Sequence, residues 1–355
     1  MTRCVLFAEV PSFYATVEIA QEPSLAGRPV IVGGDPRKRG LVQAASAEAR
    51  AAGVEVEMPM LEALALCPRA KAVRTDMSLY RDVSRRLVAC LRRGFPRLET
   101  FGLGGAFFDV TGSGEEPEAI AARVRERVEQ ELALPLRVGI ASSKFLARLA
   151  AQESGAAGSR RVHQGEEAAF LEPLPASRLE GVGRKTAAAL AELGAASIGD
   201  VVSLGRARLE EAFGTHGLRI HQLATAADDS PVRATRHAQS LSREVTVRGE
   251  ALDRAVLEEH LHDLARHLEA ELARQGLSAG RVTLKVRYGD AGAHSRSQVL
   301  ATPVAAAADL QAAALRLLER TQVGSRAVRG LGIQLARLAP AGDVERQLDL
   351  FPAGA

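Results

Sequence analysis

Between Cys4 and Ala141, short apolar runs alternate with stretches whose apolar side chains recur every three or four residues, and this alternation constrains the fold most. Cys4–Ala8 reads as a buried strand, Phe13–Ala20 as a helix and Arg28–Gly33 as a strand ending in a glycine turn. Within Asp76–Arg93, Tyr80, Val83, Leu87 and Leu91 fall on one side of a helix. Leu103–Val110 reads as a strand, Ala119–Leu132 as a helix, and Leu136–Ala141 as a strand running into a helix from about Ser143. Strands alternating with helices predict a layered α/β unit, with helices packed on a sheet.

The pattern then changes twice. Small and polar residues over Gly155–Gly165 mark one edge, and Pro173–Ala226 carries short helices only. A second edge falls at Asp228–His237. Beyond it come strand Ser240–Val247, helix Arg254–Gln275 and strands Arg281–Tyr288 and Ser295–Leu300. Helix Ala306–Arg320 and strand Arg329–Leu338 complete a separate α+β unit, followed by a tail from Ala339.

Composition excludes other classes. Apolar residues are 46% and charged residues 25% of the 355, as in ordinary globular proteins. Cys4, Cys67 and Cys90 are too few for a disulfide framework or a structural zinc site and suit a reducing cytosol, so a cytoplasmic location is expected. The run Cys4–Ala8, broken by Glu9 and Pro11, is too short for a signal peptide. No stretch approaches the roughly 20 apolar residues of a membrane span. The formal net charge is only +3, so the placement of cations matters more than their number.

That placement is clearest in Arg281–Tyr288. At period two, Arg281, Thr283, Lys285 and Arg287 share one face, while Val282, Leu284, Val286 and Tyr288 share the other. Arg296 and Arg329 belong to neighbouring predicted strands. A sheet with a row of cations backed by acidic helices suits a nucleic-acid backbone. The turn Gly181-Val182-Gly183-Arg184-Lys185-Thr186 sits between helical patterns. It is neither a Walker loop nor a dinucleotide fingerprint, and a helix-hairpin-helix phosphate contact at a helix N-terminus is expected there, through Gly181, Gly183, Lys185 and Thr186.

From about residue 4 to 338 the chain resembles a Y-family (translesion) DNA polymerase. Phe13–Glu18 resembles the first palm motif, with Tyr14 at the steric-gate position, and Ala45–Arg50 the fingers motif. Phe107–Thr111 resembles the end of the catalytic palm strand, and Gly139–Ala141 with Ser143 and Lys144 the strand and helix after it. Gly181–Gly183 and Thr186 resemble the thumb hairpin. Ser240–Thr246 and Val328–Gly332 resemble the little finger. The resemblance implies a multidomain α/β and α+β right-hand architecture. Its palm would span 1–10 and 73–165, fingers 11–72, a helix-hairpin-helix thumb 166–236, a little finger 237–338 and a tail 339–355.

The departures fall on the chemistry. Such polymerases hold two Mg²⁺ ions with an aspartate on the first strand and an Asp-Glu pair on the catalytic strand. Here those positions carry Glu9, Gly104 and Gly105. Glu9 is at most a weak metal ligand, and two glycines in a strand weaken it without packing benefit, as after relaxed selection. The fingers tyrosine falls on Ala47 and a palm lysine near Gly155, leaving Tyr14, Arg50 and Lys144 as remnants of the nucleotide site. In the tail, Gln347, Leu348, Leu350 and Phe351 resemble a peptide that binds the bacterial β sliding clamp.

The resemblance therefore implies a DNA-binding homologue without polymerase activity, similar to the ImuB-type component of bacterial damage-induced mutagenesis. It would act in translesion synthesis, hold primer–template DNA, and be recruited through the clamp. An active replicative-type polymerase and a recombinase-like protein would be further partners. No membrane is implied, and no cofactor unless residual activity uses Mg²⁺. The alternatives are an active, low-efficiency translesion polymerase, or an inhibitor competing for clamp and DNA.

Overall fold

The computed structural model describes residues 3–95, 97–233, 240–251, 253–289 and 292–341. They divide into two compact units, the first ending at Arg236 and the second beginning at His237. The strands and helices of the first unit are, in chain order, β1 (Val5–Glu9), α1 (Phe13–Gln21), β2 (Val30–Gly33) and β3 (Val42–Ala45). α2 (Ala47–Ala51), α3 (Met60–Leu66), β4 (Lys71–Arg74), α4 (Met77–Arg92), β5 (Leu98–Phe101) and β6 (Gly105–Asp109) follow. α5 (Pro117–Leu132), β7 (Arg137–Ala141), α6 (Lys144–Gln152), β8 (Ser159–Arg161) and the helices α7 (Glu167–Leu171), α8 (Arg184–Glu192), α9 (Ile198–Phe213) and α10 (Thr215–Ala224) complete it.

The main sheet has the order β5-β6-β1-β7-β8. Its central strand is apolar and buried from Val5 to Ala8 because both faces are covered there. Leu6 and Ala8 join the core containing Tyr80, Leu87, Ile120 and Val124 of α4 and α5, while Val5 and Phe7 join Phe145, Leu146 and Leu149 of α6. Gly139 of β7 is required by the closeness of α6, since a Cβ there would run into the carbonyl of Ala147. Ser143 caps α6 by accepting from the Leu146 N–H at 3.3 Å, and Asp76 caps α4 through the N–H groups of Ser78 and Leu79. A second sheet, β3-β2-β4, has its own small core of Ile31, Val42, Val54, Met60 and Cys67.

Sequence periodicity missed β3, β4, β5 and β8. β4 (KAVR) and β8 (SRR) are short edge strands, mostly exposed, with no apolar alternation to reveal them. The strand expected over Leu103–Val110 is shorter, because Gly102, at φ +58, turns the chain between β5 and β6.

The second unit contains β9 (Ser240–Ala251), α11 (Arg254–Gln275), β10 (Leu277–Tyr288), β11 (Ala293–Val304), α12 (Ala307–Leu318) and β12 (Val328–Pro340). Its antiparallel sheet runs β11-β10-β12-β9. Val282, Leu284, Val286, Leu331, Ile333 and Leu335 pack with Leu257, Leu261, Leu268, Leu310 and Leu317 of the two helices. That covers one face of the sheet and leaves the other open. Among the described residues, no helix is long and apolar enough to cross a membrane.

Candidate functional site

The three positions Glu9, Gly104 and Gly105, singled out from sequence, meet at one end of the main sheet. Glu9 is the register partner of Gly105 on β6 and of Arg137 on β7, and the Val10 N–H donates to the Gly104 carbonyl at 2.8 Å. Arg137 donates to Glu9 Oε1 through Nε at 2.8 Å and Nη2 at 2.5 Å, and the two side chains are only 18% and 17% exposed. Glu9, the carboxylate among the three positions, thus has a resident cation, a charge-assisted pair stronger than an ordinary hydrogen bond.

Gly104 and Gly105 have a packing role, contrary to the expectation that these glycines bring none. A Cβ at Gly104 would lie 2.8–2.9 Å from the Phe13 ring and its Cβ; one at Gly105 would lie 3.0 Å from Phe7 Cζ. Phe13 occupies the space a carboxylate at 104 would need. Mg²⁺ requires near-ideal octahedral oxygen ligation. One arginine-bound glutamate beside two glycines and a phenyl ring does not fit a pair of such ions. Among the described residues no group of three or more His, Cys, Asp or Glu could hold a metal.

Beside this end lie two hollows sharing Ser12 and Arg50. One, about 360 Å³, is lined by Phe13, Tyr14, Gln43, Ala44, Val56 and Gly104 among others. The other, about 730 Å³, is lined by Thr16, Ser46, Ala47, Arg137, Gln152 and Gly155 among others. Ala47 and Gly155 are thus wall positions that carry neither a hydroxyl nor an ammonium. Tyr14 stacks on Tyr80 at 4.4 Å, and the Tyr80 hydroxyl donates to Glu18 Oε1 at 2.5 Å. Burial, with the Glu18 carboxylate, pushes the Tyr80 phenol well above its ordinary range.

Lys144 does not belong with Tyr14 and Arg50. It lines neither hollow; its Nζ donates to both oxygens of Glu99 at 3.0 and 2.9 Å and lies 5.4 Å from the Phe107 ring centroid. Glu99 also accepts the Arg233 N–H at 2.9 Å. Lys144 is therefore part of an anchor for the segment that leaves α10, apart from the hollows that Arg50 lines. Asp228, 2% exposed, ties the same segment down by accepting from Arg219 at 3.0 Å and the Phe145 N–H at 3.4 Å. Burial alone would raise the Asp228 carboxyl, but hydrogen bonds from Arg219 and Ser230 and the Arg219 charge hold it below its ordinary value.

At the turn before α8, Gly181 has φ +88, and a Cβ there would lie 2.9 Å from His216 Nε2. Gly183 is the N-cap in extended backbone, and its N–H donates to the Gly181 carbonyl at 3.2 Å. Lys185 is exposed and Thr186 half-buried in the first turn, where helix N–H groups lack intrahelical acceptors.

In the second unit, Val282, Leu284, Val286 and Tyr288 are buried, while Arg281, Thr283 and Lys285 are half-buried and Arg287 is exposed on the open face, as the period-two pattern predicts. Arg329 lines a hollow of about 220 Å³ with Arg287 and Thr246. Arg296 is not on this face. It is the register partner of Leu284, whose side chain faces the helices, and its Nε donates to the Arg320 carbonyl at 3.1 Å. Sequence reasoning also missed Glu244 of β9, whose Oε1 accepts from Lys285 Nζ at 3.1 Å. The register that brings them together, through Gly332 of β12, is a long-range pairing that no local pattern encodes. Gln347, Leu348, Leu350 and Phe351 lie outside the described residues.

Residues 9–152 match the impB/mucB/samB family and residues 238–350 its C-terminal domain. The DNA polymerase IV of Alkalilimnicola ehrlichii is 35% identical over 353 residues, covering 98% of this chain and 99% of that protein. That of Halorhodospira halophila is 36% identical over 354 residues, covering 99% of each. In fold, the chain is similar to a Y-family polymerase chimera of Dbh and Dpo4 (TM-score 0.79, 24% identity, 95% of this chain and 99% of that one). It is also similar to DinB from Sulfolobus solfataricus (TM-score 0.69, 24% identity, 94% and 98%).

Proposed function

Because this chain belongs to the Y-family DNA polymerases, the impB/mucB/samB family, we propose that it binds primer–template DNA in lesion tolerance without polymerising nucleotides itself. The observation that carries this reading is the Glu9–Arg137 pair beside Gly104, Gly105 and the Phe13 ring. Family chemistry needs carboxylates that hold two metals against the primer hydroxyl and the triphosphate. Here a guanidinium holds the only carboxylate of the three positions, and a phenyl ring fills a second position.

In this reading residues 1–10 and 73–165 serve as palm, 11–72 as fingers, 166–236 as thumb and 237–338 as little finger. DNA contacts come from the turn at Gly181–Thr186 and from the open face bearing Arg281, Lys285, Arg287 and Arg329. The polymerase IV name of relatives alike over the whole chain supports DNA as the ligand. In the cytoplasm, Gln347, Leu348, Leu350 and Phe351 bind the sliding clamp, Leu350 and Phe351 filling a pocket and Gln347 hydrogen-bonding at its edge. The protein then brings an active polymerase to the lesion.

Primer extension on undamaged and lesion-bearing templates, with Mg²⁺ and then Mn²⁺, tests this alongside anisotropy with a labelled primer–template and clamp capture. The expected result is binding of both partners with no extension, and loss of clamp capture alone in Phe351→Ala. Extension abolished by Glu9→Ala would instead establish a working polymerase.

A further inference from the structure

The open sheet face carries an acid among its cations. Glu244 on β9 and Lys285 on β10 are separated by β12, where Gly332 is the register partner of both. A Cβ at Gly332 would lie 2.5 Å from Glu244 Cγ. The glutamate side chain therefore lies flat across β12 in space left only because residue 332 is glycine. It reaches Lys285 Nζ with Oε1 at 3.1 Å, and Oε2 lies 3.9 Å from Arg287 Nη2. Gly330 serves Arg287 in the same way, since a Cβ there would lie 2.8 Å from Arg287 Nε. Two glycines thus form a lane without side chains, along which one carboxylate lies between two cations.

A carboxylate bridging an ammonium and a guanidinium occupies the kind of position a backbone phosphate takes between the same two groups. We infer that Glu244 is an internal competitor for DNA phosphate, holding Lys285 and Arg287 until a nucleic-acid backbone displaces it. The inference rests on the DNA-binding reading above and adds an affinity-limiting residue to it. Glu244, Lys285 and Arg287 are 41%, 39% and 54% exposed, so the carboxylate can swing into solvent without unfolding anything. Pairs at that exposure are individually weak, which suits a contact meant to be exchanged.

The test is anisotropy of a fluorescein-labelled primer–template with the full chain across a salt series. In Glu244→Gln, binding at low salt becomes tighter by several-fold, and the log–log salt slope steepens by up to ~0.9, the increment for one further neutralised phosphate on duplex DNA. Gly332→Ala, which pushes the Glu244 side chain off the lane while keeping its charge, moves both quantities the same way by a smaller amount. Its melting temperature identifies any simple loss of fold. If the natural protein binds DNA and Glu244→Gln leaves affinity and slope unchanged, the competitor role falls and the DNA-binding reading stands. If neither protein binds, both fall. If only Glu244→Gln binds, the competitor role is upheld in its strongest form.

Discussion

The sheet end around Glu9 and the open face around Lys285 both put charged side chains on neighbouring strands, and both hold a carboxylate against a guanidinium. They differ in burial. Glu9 and Arg137 are less than a fifth exposed and face each other on adjacent strands, so their pairing is largely shielded from water. Glu244, Lys285 and Arg287 are about half in water. A metal site depends on a few oxygens at fixed points, so it is sensitive to each ligand. A phosphate-binding face depends on summed charge along a repeating period, so it survives the loss of any one residue. The pair in the first region is shielded from water, while the charges of the second can exchange with solvent.

Restoring the carboxylates gives the largest contrast. Glu9→Asp with Gly104→Asp and Gly105→Glu supplies the family's ligands, yet Phe13 occupies the space at 104 and Arg137 still faces position 9. We expect no primer extension and a stability loss of about 1–3 kcal/mol from overpacking, read as a lowered melting temperature. Extension by this variant would show that Arg137 and Phe13 do not block the site.

On the open face, Lys285→Ala with Arg287→Ala weakens DNA binding and flattens the salt slope by ~0.9 for each phosphate that is no longer neutralised. Arg296→Ala leaves both unchanged, because its guanidinium is engaged with the Arg320 carbonyl on the helix side. Equal weakening in the two proteins would mean that the helix side also meets DNA.

The smallest effect probes the segment leaving the first unit. Asp228→Asn removes a buried charge that accepts from Arg219 and the Phe145 N–H; since Arg219 is 42% exposed, the cost is roughly 1–3 kcal/mol. The Asp228 carboxyl sits below its ordinary 3.8 in the folded protein. Its stabilisation is therefore complete above that value and is lost as the pH falls through the folded pKa. Acid unfolding monitored by circular dichroism is less steep below pH 3.8 in the variant than in the natural protein. Identical acid limbs would remove Asp228 from the anchor.

Much of the fold is legible from local pattern. The bounds of α11 coincide with the helix expected over Arg254–Gln275, and Ser143 caps α6 near where the expected helix begins. Arg281–Tyr288 alternates as a half-buried strand must. What local pattern hides depends on partners far away in the chain. Arg137 meets Glu9 across 128 residues, Glu99 meets Lys144 across 45, and Glu244 meets Lys285 across 41. Arg296 is expected on the cationic face because its strand can be read from sequence while its register cannot. A one-residue change of register moves a side chain to the opposite face.

From the amino-acid sequence alone come the two kinds of unit, the row of cations at period two, the missing carboxylates and the tail motif. The units and the row of cations follow from residue type and spacing, which act over a few residues; the missing carboxylates and the tail motif are what the family resemblance implies. Only the tertiary structure decides that Arg137 holds Glu9, that Phe13 needs Gly104 to be glycine, that Lys144 anchors a departing segment, and that Glu244 lies between two cations across Gly332. Each depends on strand register and on the space beside a backbone, which arise only when distant segments pack together.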